Sequence, residues 1–307
     1  MVSLAVGTIV YLLFSRVPLL MPVGDIAGPY AEHLLPVVLF LILYVTFCKI
    51  EIKELRPRAW HFWLQAIRIA LSGLLVWIIS MVSDPDARLV LEGVFICVIC
   101  PTAASAAVVT EKLGGSIASL TVYTIIANAV TSVIIPLFFP MVEKSAGISF
   151  LEASAMVLRN VTTVLVAPLA LALISRKTAP RLTGMIRRTG NLGFYLWCFN
   201  LAIVTGLTVR NILSSTVSGW TLCLLLVLPL VVTLTLFAIG KAVGRHYGDS
   251  VSAGQALGQK NTVVGIWLTI TFLNPLAAVA PGAYVLWQNS VNAWQLWYKE
   301  KYGKVKW

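Results

Sequence analysis

A polar stretch from Gly254 to Thr262 lies at the start of an apolar run and contains one lysine, Lys260. If this run crosses a membrane, counting from Gly248 places Lys260 roughly 18 Å along the helix, near the middle of a ~30 Å hydrocarbon layer. A lysine at that depth costs on the order of 3 kcal/mol and persists only where it faces protein or water. The stretch predicts either an interrupted helix that lines a substrate or ion site, or a polar helix start with a snorkelling lysine.

Glycines and amides surround Lys260, and both suit an interrupted helix. Glycine loosens the helix, and amide side chains can replace the backbone hydrogen bonds that an interruption frees. A second small polar cluster begins at Pro101, and aligning Val108 with Val263 offsets the two clusters by 155 residues, about half the chain. We therefore predict helix breaks at Pro101 and Gly258. The residues predicted to line the substrate or ion site are Lys260, Asn261, Thr262, Gln259, Thr102, Ser105, Thr124 and Asn128.

Each of these residues also has a purely structural interpretation, because Ser, Thr and Asn commonly bond one membrane helix to another. Lys260 can act as a tethered cation in place of a bound ion, as a proton carrier, or as a structural partner of Glu111 or of backbone carbonyls. Arg68 and Arg159 also lie within apolar runs. For both arginines, attraction of an anion and snorkelling to the interface remain open.

The elements that must position these residues are membrane helices. The chain has 307 residues, of which 59% are hydrophobic and 11% charged, whereas soluble domains carry roughly 25% charged residues. Apolar runs between polar breaks predict about ten spans, each near the ~20 residues needed to cross a bilayer. They fall near residues 2–20, 30–48, 60–82, 89–111, 116–141, 151–174, 191–210, 218–242, 249–270 and 275–297.

The distribution of positive charge predicts the orientation of these spans. The net charge of +11 alone would suit a nucleic-acid partner, but the charges lie in short segments between apolar runs. Sixteen of the 23 Lys and Arg residues fall in alternate connections on one side, and three fall on the other. Such an excess marks the cytoplasmic side. We therefore predict a multi-pass protein of the inner (plasma) membrane, with both termini cytoplasmic, contacting membrane lipids and no nucleic acid.

The two polar clusters also indicate an internal repeat. Each cluster is followed by a span that carries several polar residues, and five spans separate one copy from the next. Because five is an odd number, the second copy must enter the membrane inverted. We predict a first five-helix repeat at residues 1–145 and a second, inverted repeat at residues 146–307. Paired interrupted helices in two such halves are typical of a transporter site at the middle of the membrane.

The residues of both halves carry a family resemblance. Pro101-Thr102-Ala103-Ala104-Ser105 with Gly114-Gly115, together with Ala256 to Thr262 and Asn274-Pro275-Leu276-Ala277-Ala278-Val279, resembles the bile acid:sodium symporter family over the whole chain. The resemblance implies an all-α polytopic fold of ten helices in two inverted repeats. Spans 1, 2, 6 and 7 would form a panel, and spans 3–5 and 8–10 a core. Within the core, spans 4 and 9 would unwind and cross beside a cavity for an organic anion.

The resemblance also implies sodium ligands, and this sequence departs from the family at most of them. Thr124 keeps a family threonine. Ala256 stands at the position of the family's glutamate, and Lys260 at the position of its glutamine. Ala106 and Ala107 align with the family's Ser-Asn pair, and Leu120 aligns with a serine. Sodium needs several oxygen ligands and usually a carboxylate. We therefore predict that sodium does not bind at the family sites.

Together these features predict a secondary transporter for a small organic anion, with Lys260 as tethered cation or proton carrier and proton coupling as an option. The alternative is a non-transporting membrane receptor or a channel on the same fold. His33, His61 and His246 form no ligand spacing with the cysteines. No Ser-His-Asp or paired-carboxylate set is present either, so no enzymatic activity, metal or cofactor is predicted.

Cysteine labelling in intact cells should report the predicted orientation. The parent protein would carry serine at the five native cysteine positions. A cysteine introduced at Gly147 should react with an impermeant reagent and one at Leu182 should not, because only the first connection lies outside the cytoplasm. Reaction at position 182 without reaction at position 147 would show that the topology is inverted.

Overall fold

The computed structural model describes residues 2–103, 105–143, 166–214 and 217–303, with single positions at 155, 159 and 305. These residues are mainly helical. The N-terminal part contains α1 (Val2–Arg16), α2 (Met21–Phe47), α3 (Ala59–Met81), α4 (Pro85–Ile99), α5 (Ala106–Leu113) and α6 (Ile117–Val142). The C-terminal part contains α7 (Ala167–Thr178), α8 (Pro180–Arg188), α9 (Leu192–Leu213), α10 (Gly219–His246), α11 (Ser250–Gly258), α12 (Thr262–Phe272) and α13 (Val279–Tyr302).

Four of the described helices, α3, α6, α9 and α10, are long and apolar enough to cross a bilayer without interruption. The helix α2 is a fifth if its two segments, which meet at 49°, count as one span. Pro36 accounts for this bend, because a proline ring clashes with the carbonyl four residues earlier and its nitrogen donates no helical hydrogen bond. The all-helical, multi-pass membrane architecture is therefore confirmed. Ten spans stay a prediction, and most of the predicted span 151–174 lies outside the described residues.

Two helices go beyond what the hydropathy pattern predicts. The helix α2 begins at Met21, well before the predicted span at residue 30, and Pro22 in its first turn suits a helix start. The helix α8 occupies a connection that the sequence predicts only as a run of positive charge. Within it, Arg187 Nε donates to Cys48 O at 2.7 Å, so α8 binds a carbonyl just beyond the C-terminus of α2.

Helix packing divides the described chain into two groups. The smaller group contains α1, α2 and α7–α9, and the larger group contains α3–α6 and α10–α13. Within the larger group, α10 and α11 pack with their backbones close together. A Cβ on Gly240 would lie 2.5 Å from Ala253 O, and one on Gly244 would lie 2.4 Å from Ala253 Cβ. Glycine at these two positions therefore permits the contact that holds α11 in place.

The two groups meet along α9, which packs against α13 and α5. Polar contacts join them at the ends of α2 and α5. Lys49 Nζ donates to both carboxylate oxygens of Glu111, at 3.0 and 3.1 Å, and Lys112 Nζ donates to Asn191 Oδ1. Because Lys49 follows α2 and Glu111 lies in α5, this ion pair connects the smaller group to the larger group.

Candidate functional site

Two helix interruptions lie side by side in the larger group. Residues 100–103 follow α4, and residues 259–261 separate α11 from α12; we call these two segments the paired breaks. Thr102 and Lys260 form an isolated antiparallel bridge. Two backbone hydrogen bonds accompany it, from Ala103 N to Gln259 O at 3.1 Å and from Asn261 N to Pro101 O at 2.8 Å. Backbone groups that a helix would have satisfied are therefore satisfied by the neighbouring break.

Local sequence explains where both helices stop. Pro101 has no N–H and disfavours helical geometry at the preceding residue, and Cys100 accordingly has ψ of 141°. At the second break, a Cβ on Gly258 would lie 2.4 Å from the ring of Phe237. Only glycine allows α11 to end this close to α10.

Side chains bind the carbonyls that the end of α11 leaves free. Thr102 Oγ1 donates to Ala256 O at 2.6 Å, and Tyr284 Oη donates to Gly258 O at 2.7 Å. Both donors come from other elements, the first break and α13. The C-terminal end of α11 is thus closed by neutral hydroxyl groups.

The C-terminal end of α4 is closed by a charged group, Lys260. Its side chain is 1% exposed, and its Nζ donates to Val98 O at 2.9 Å and to Cys100 O at 3.2 Å. The carbonyl end of a helix carries partial negative charge and favours a cation. Glu111, which the sequence offered as a partner, binds Lys49 instead. Lys260 therefore has the carbonyl partners that the sequence left open as an alternative.

A second buried cation, Arg68 of α3, binds the same helix end. Its side chain is 1% exposed, and its guanidinium donates to Ile99 O at 3.0 Å, Thr131 Oγ1 at 2.8 Å and Ala127 O at 3.0 Å. Lys260 and Arg68 together bind three consecutive carbonyls, those of residues 98–100, at the C-terminal end of α4. Among the described residues, neither cation forms an ion pair with a carboxylate.

Amide side chains hold the main chain of Lys260. Lys260 N donates to Gln288 Oε1 at 2.7 Å, and Gln288 Nε2 donates to Lys260 O at 3.3 Å. Next to them, Gln259 Nε2 donates to Gln255 Oε1, and Gln255 Nε2 donates to Gln295 Oε1 at 2.8 Å. Amides of α11 and α13 therefore stabilise the second break in the absence of helical hydrogen bonds.

A cavity of about 60 Å³ lies beside the paired breaks, between the two helix groups. Its walls come from α2 and α9 on one side, and from the breaks and α13 on the other. The first residues of α12 and the N-cap of α5 face it as well. The described lining residues are Leu39, Ala103, Ser105, Trp197, Asn200, Leu201, Val204, Gln259, Lys260, Asn261, Thr262, Val263, Val285, Gln288 and Asn289, none of them acidic.

The structure brings five of the predicted site residues together at this cavity: Ser105, Gln259, Lys260, Asn261 and Thr262. The predicted break residue Pro101 lies within the first break, and Gly258 is the last residue of α11. Thr102 lies in the first break, with its hydroxyl bound to α11 rather than facing the cavity.

Thr124 and Asn128, which were also predicted for the site, are buried in α6 and are not among the lining residues. Thr124 Oγ1 donates to Leu120 O at 2.9 Å, and Asn128 Nδ2 donates to Thr124 O at 2.8 Å. Such bonds to the preceding turn satisfy a polar side chain inside its own helix. These bonds lie within α6, whereas the structural alternative expected for the polar residues was a bond from one helix to another.

Sequence reasoning missed two lining residues of α9, Trp197 and Asn200, and gave too little weight to Arg68 and Gln288. The available signal was weak. Asn200 is a polar residue within the predicted span 191–210, and Arg68 is the one cation of the span 60–82. Which face of each helix points inward depends on packing between distant segments.

The hydroxyl of Thr102 should contribute measurably to stability. We expect Thr102→Val to destabilise the purified protein by about 1–3 kcal/mol, because valine keeps the shape but leaves the buried carbonyl of Ala256 without a donor. Thr271→Val is the matched control, since Thr271 is exposed and bonds Trp267 O within its own helix. Thermal unfolding in detergent compares the two, and equal stability would contradict the assigned role of Thr102.

No curated protein matches the chain. A protein-family description, the SBF-like CPA transporter family, matches residues 4–289, nearly the whole chain. This family is related to the bile acid:sodium symporters, so the resemblance carried by the two polar clusters is confirmed. The chain therefore belongs to the SBF-like CPA transporter family.

Proposed function

We propose that this secondary transporter carries a small organic anion by alternating access. The observation that carries the proposal is the cavity at the paired breaks, where the N-terminal ends of α5 and α12 meet. The N-caps of these helices, Ser105 and Asn261, line it together with the first two residues of α12, Thr262 and Val263. The N-terminus of a helix carries partial positive charge and free N–H groups, which suit an anion.

The charges of the surrounding residues also favour a negatively charged ligand. Lys260 lines the cavity and Arg68 binds a neighbouring carbonyl, so two positive charges lie at the C-terminal end of α4. The carbonyl end of α4 offsets them only in part, with roughly half an elementary charge. None of the described lining residues is acidic. An anion in the cavity would therefore reduce an excess of positive charge, whereas a cation would add to it.

The position of the cavity supports alternating access. Since α2 and α9 belong to the smaller group and the breaks to the larger group, movement between the groups would open or close the cavity. In this proposal the smaller group is the panel and the larger group is the core. The same proposal includes ten spans in two inverted repeats, residues 1–145 and 146–307, with both termini cytoplasmic in the inner membrane. Contact between two breaks half a chain apart supports the repeat.

Lys260 takes the place of a bound cation in this mechanism. Its ammonium lies among backbone carbonyls of α4, the kind of ligand that would otherwise hold a metal ion at an unwound helix. Because the charge is covalently attached, it travels with the protein and cannot be released. Alternatively, Lys260 releases and rebinds a proton during transport and so acts as a proton carrier.

Sodium independence is the first test of the proposal. We expect uptake of short-chain carboxylates into proteoliposomes to be saturable, and unchanged when sodium is replaced by potassium or choline. The reason is that Ala256, Ala106, Ala107 and Leu120 cannot supply side-chain oxygens. Saturable stimulation by sodium that is lost in Thr124→Val or Asn261→Ala would instead reveal an oxygen cage. Non-saturable flux would favour a channel, and no flux a receptor.

Substitution of Lys260 is the second test. We expect Lys260→Gln to slow uptake by at least about tenfold, because a lost charge-assisted hydrogen bond is worth about 1.5–3 kcal/mol and about 1.4 kcal/mol is tenfold. Lys260→Arg should restore little, since a planar guanidinium does not replace a compact ammonium. Lys301→Gln, at an exposed lysine of α13, is the control.

The dependence of this uptake on pH separates transport from structure. If the ammonium charge is required, wild-type uptake should vary with pH in a way that Lys260→Gln does not. Thermal unfolding of both proteins in detergent would establish that the variant is folded. A folded Gln variant with the rate and pH profile of the wild type would reduce Lys260 to a structural residue.

A further inference from the structure

Asn200 differs from the other polar side chains that line the cavity. It lies on α9, and it is the only amide, hydroxyl or charged side chain that the smaller group contributes to the described lining. Its Oδ1 atom is buried and has no hydrogen-bond partner. The neighbouring lining residues on α2 and α9 are apolar: Leu39, Trp197, Leu201 and Val204.

The amides across the cavity already have partners. Gln288 is bonded to the main chain of Lys260, Gln259 to Gln255, and Asn289 Nδ2 to Val285 O. The side chain of Asn261 accepts from Val264 N as the N-cap of α12. These groups stabilise the second break and α13, whereas Asn200 Oδ1 has no hydrogen-bond partner in the described part of the chain. A buried amide oxygen without a donor is unfavourable, and in the cavity water or a ligand can supply the donor.

We propose that Asn200 is a specificity-determining residue that binds a second polar group on the substrate, such as a hydroxyl. This inference rests on the proposed function. The anionic group would lie at the N-termini of α5 and α12, and the second group would reach Asn200 on α9. The substrate class is then a short carboxylate that carries a hydroxyl or another hydrogen-bonding substituent.

The volume of the cavity suits a short carbon chain. About 10–15 Å³ of such space holds one water molecule, so a cavity of about 60 Å³ takes roughly four to six non-hydrogen atoms. Acids of three carbons, with or without one hydroxyl, have about this size. A substituted acid would also contact both helix groups at once, because its charge binds the larger group and its substituent binds the smaller group. Such a ligand would favour closure of the groups around it.

The test compares two acids that differ only in the substituent. Uptake of radiolabelled lactate and propionate would be measured in proteoliposomes that contain the full-length protein. We expect the wild type to prefer lactate by at least about tenfold, because sites that bond a substrate hydroxyl reject analogues without one. In Asn200→Leu, which is similar in shape, the preference should fall towards one through loss of lactate uptake, with propionate uptake kept.

Two controls keep this result interpretable. Leu201→Val changes an apolar wall of the same cavity and should alter uptake of both acids by the same factor. Thermal unfolding in detergent would show that each variant is folded. An unchanged lactate preference in Asn200→Leu would overturn the assignment of Asn200 alone. Equal uptake of both acids by the wild type would do the same, whereas no saturable uptake of either acid would contradict the proposed function as well.

Discussion

Helices that stop in the buried interior of the protein leave backbone groups without partners, and the rest of this structure depends on how those groups are satisfied. Each buried carbonyl or N–H that finds no partner costs on the order of several kcal/mol. The end of α4 is bound by Lys260 and Arg68, and the end of α11 by Thr102 and Tyr284. The two breaks also bond to each other. Each interruption is therefore stable only in the presence of the other.

The ends of the half-helices have opposite electrical character, and the protein treats them differently. The carbonyl end of α4 receives cations from the chain itself, while the N-terminal ends of α5 and α12 face the cavity. The side-chain cations and the partial positive charge at the N-terminal ends of the helices both favour an anion in the cavity. The charge that an anion would meet is thus part of the fold: Lys260 lines the cavity, and Arg68 binds the neighbouring carbonyl of α4.

Sequence alone predicts the features that depend on local chemistry. Pro101 and Gly258 are residue types that interrupt helices, so the sequence predicts both breaks. The polar residues beside Lys260 are unusual in an apolar run and can be recognised without any knowledge of packing. Features that depend on distant contacts are less accessible. The inward direction of Asn200 and of Arg68 requires the packing of α9 and α3. Equally, nothing in the spacing of Thr124 and Asn128 distinguishes a lining residue from one that bonds its own helix.

Lys260 belongs to one break and binds the helix that precedes the other, so it makes the breaks, α4 and α13 a single mechanical unit. Separating these elements would expose its ammonium and several carbonyls together, which is costly in a membrane. Separating the two helix groups breaks fewer polar contacts, chiefly those of Lys49 and Lys112 at one end. In the proposed transport cycle, movement therefore occurs at the boundary that contains the cavity. In the tethered-cation form of the proposal, Lys260 and Arg68 both stay with the larger group, so the site keeps its charge throughout the cycle.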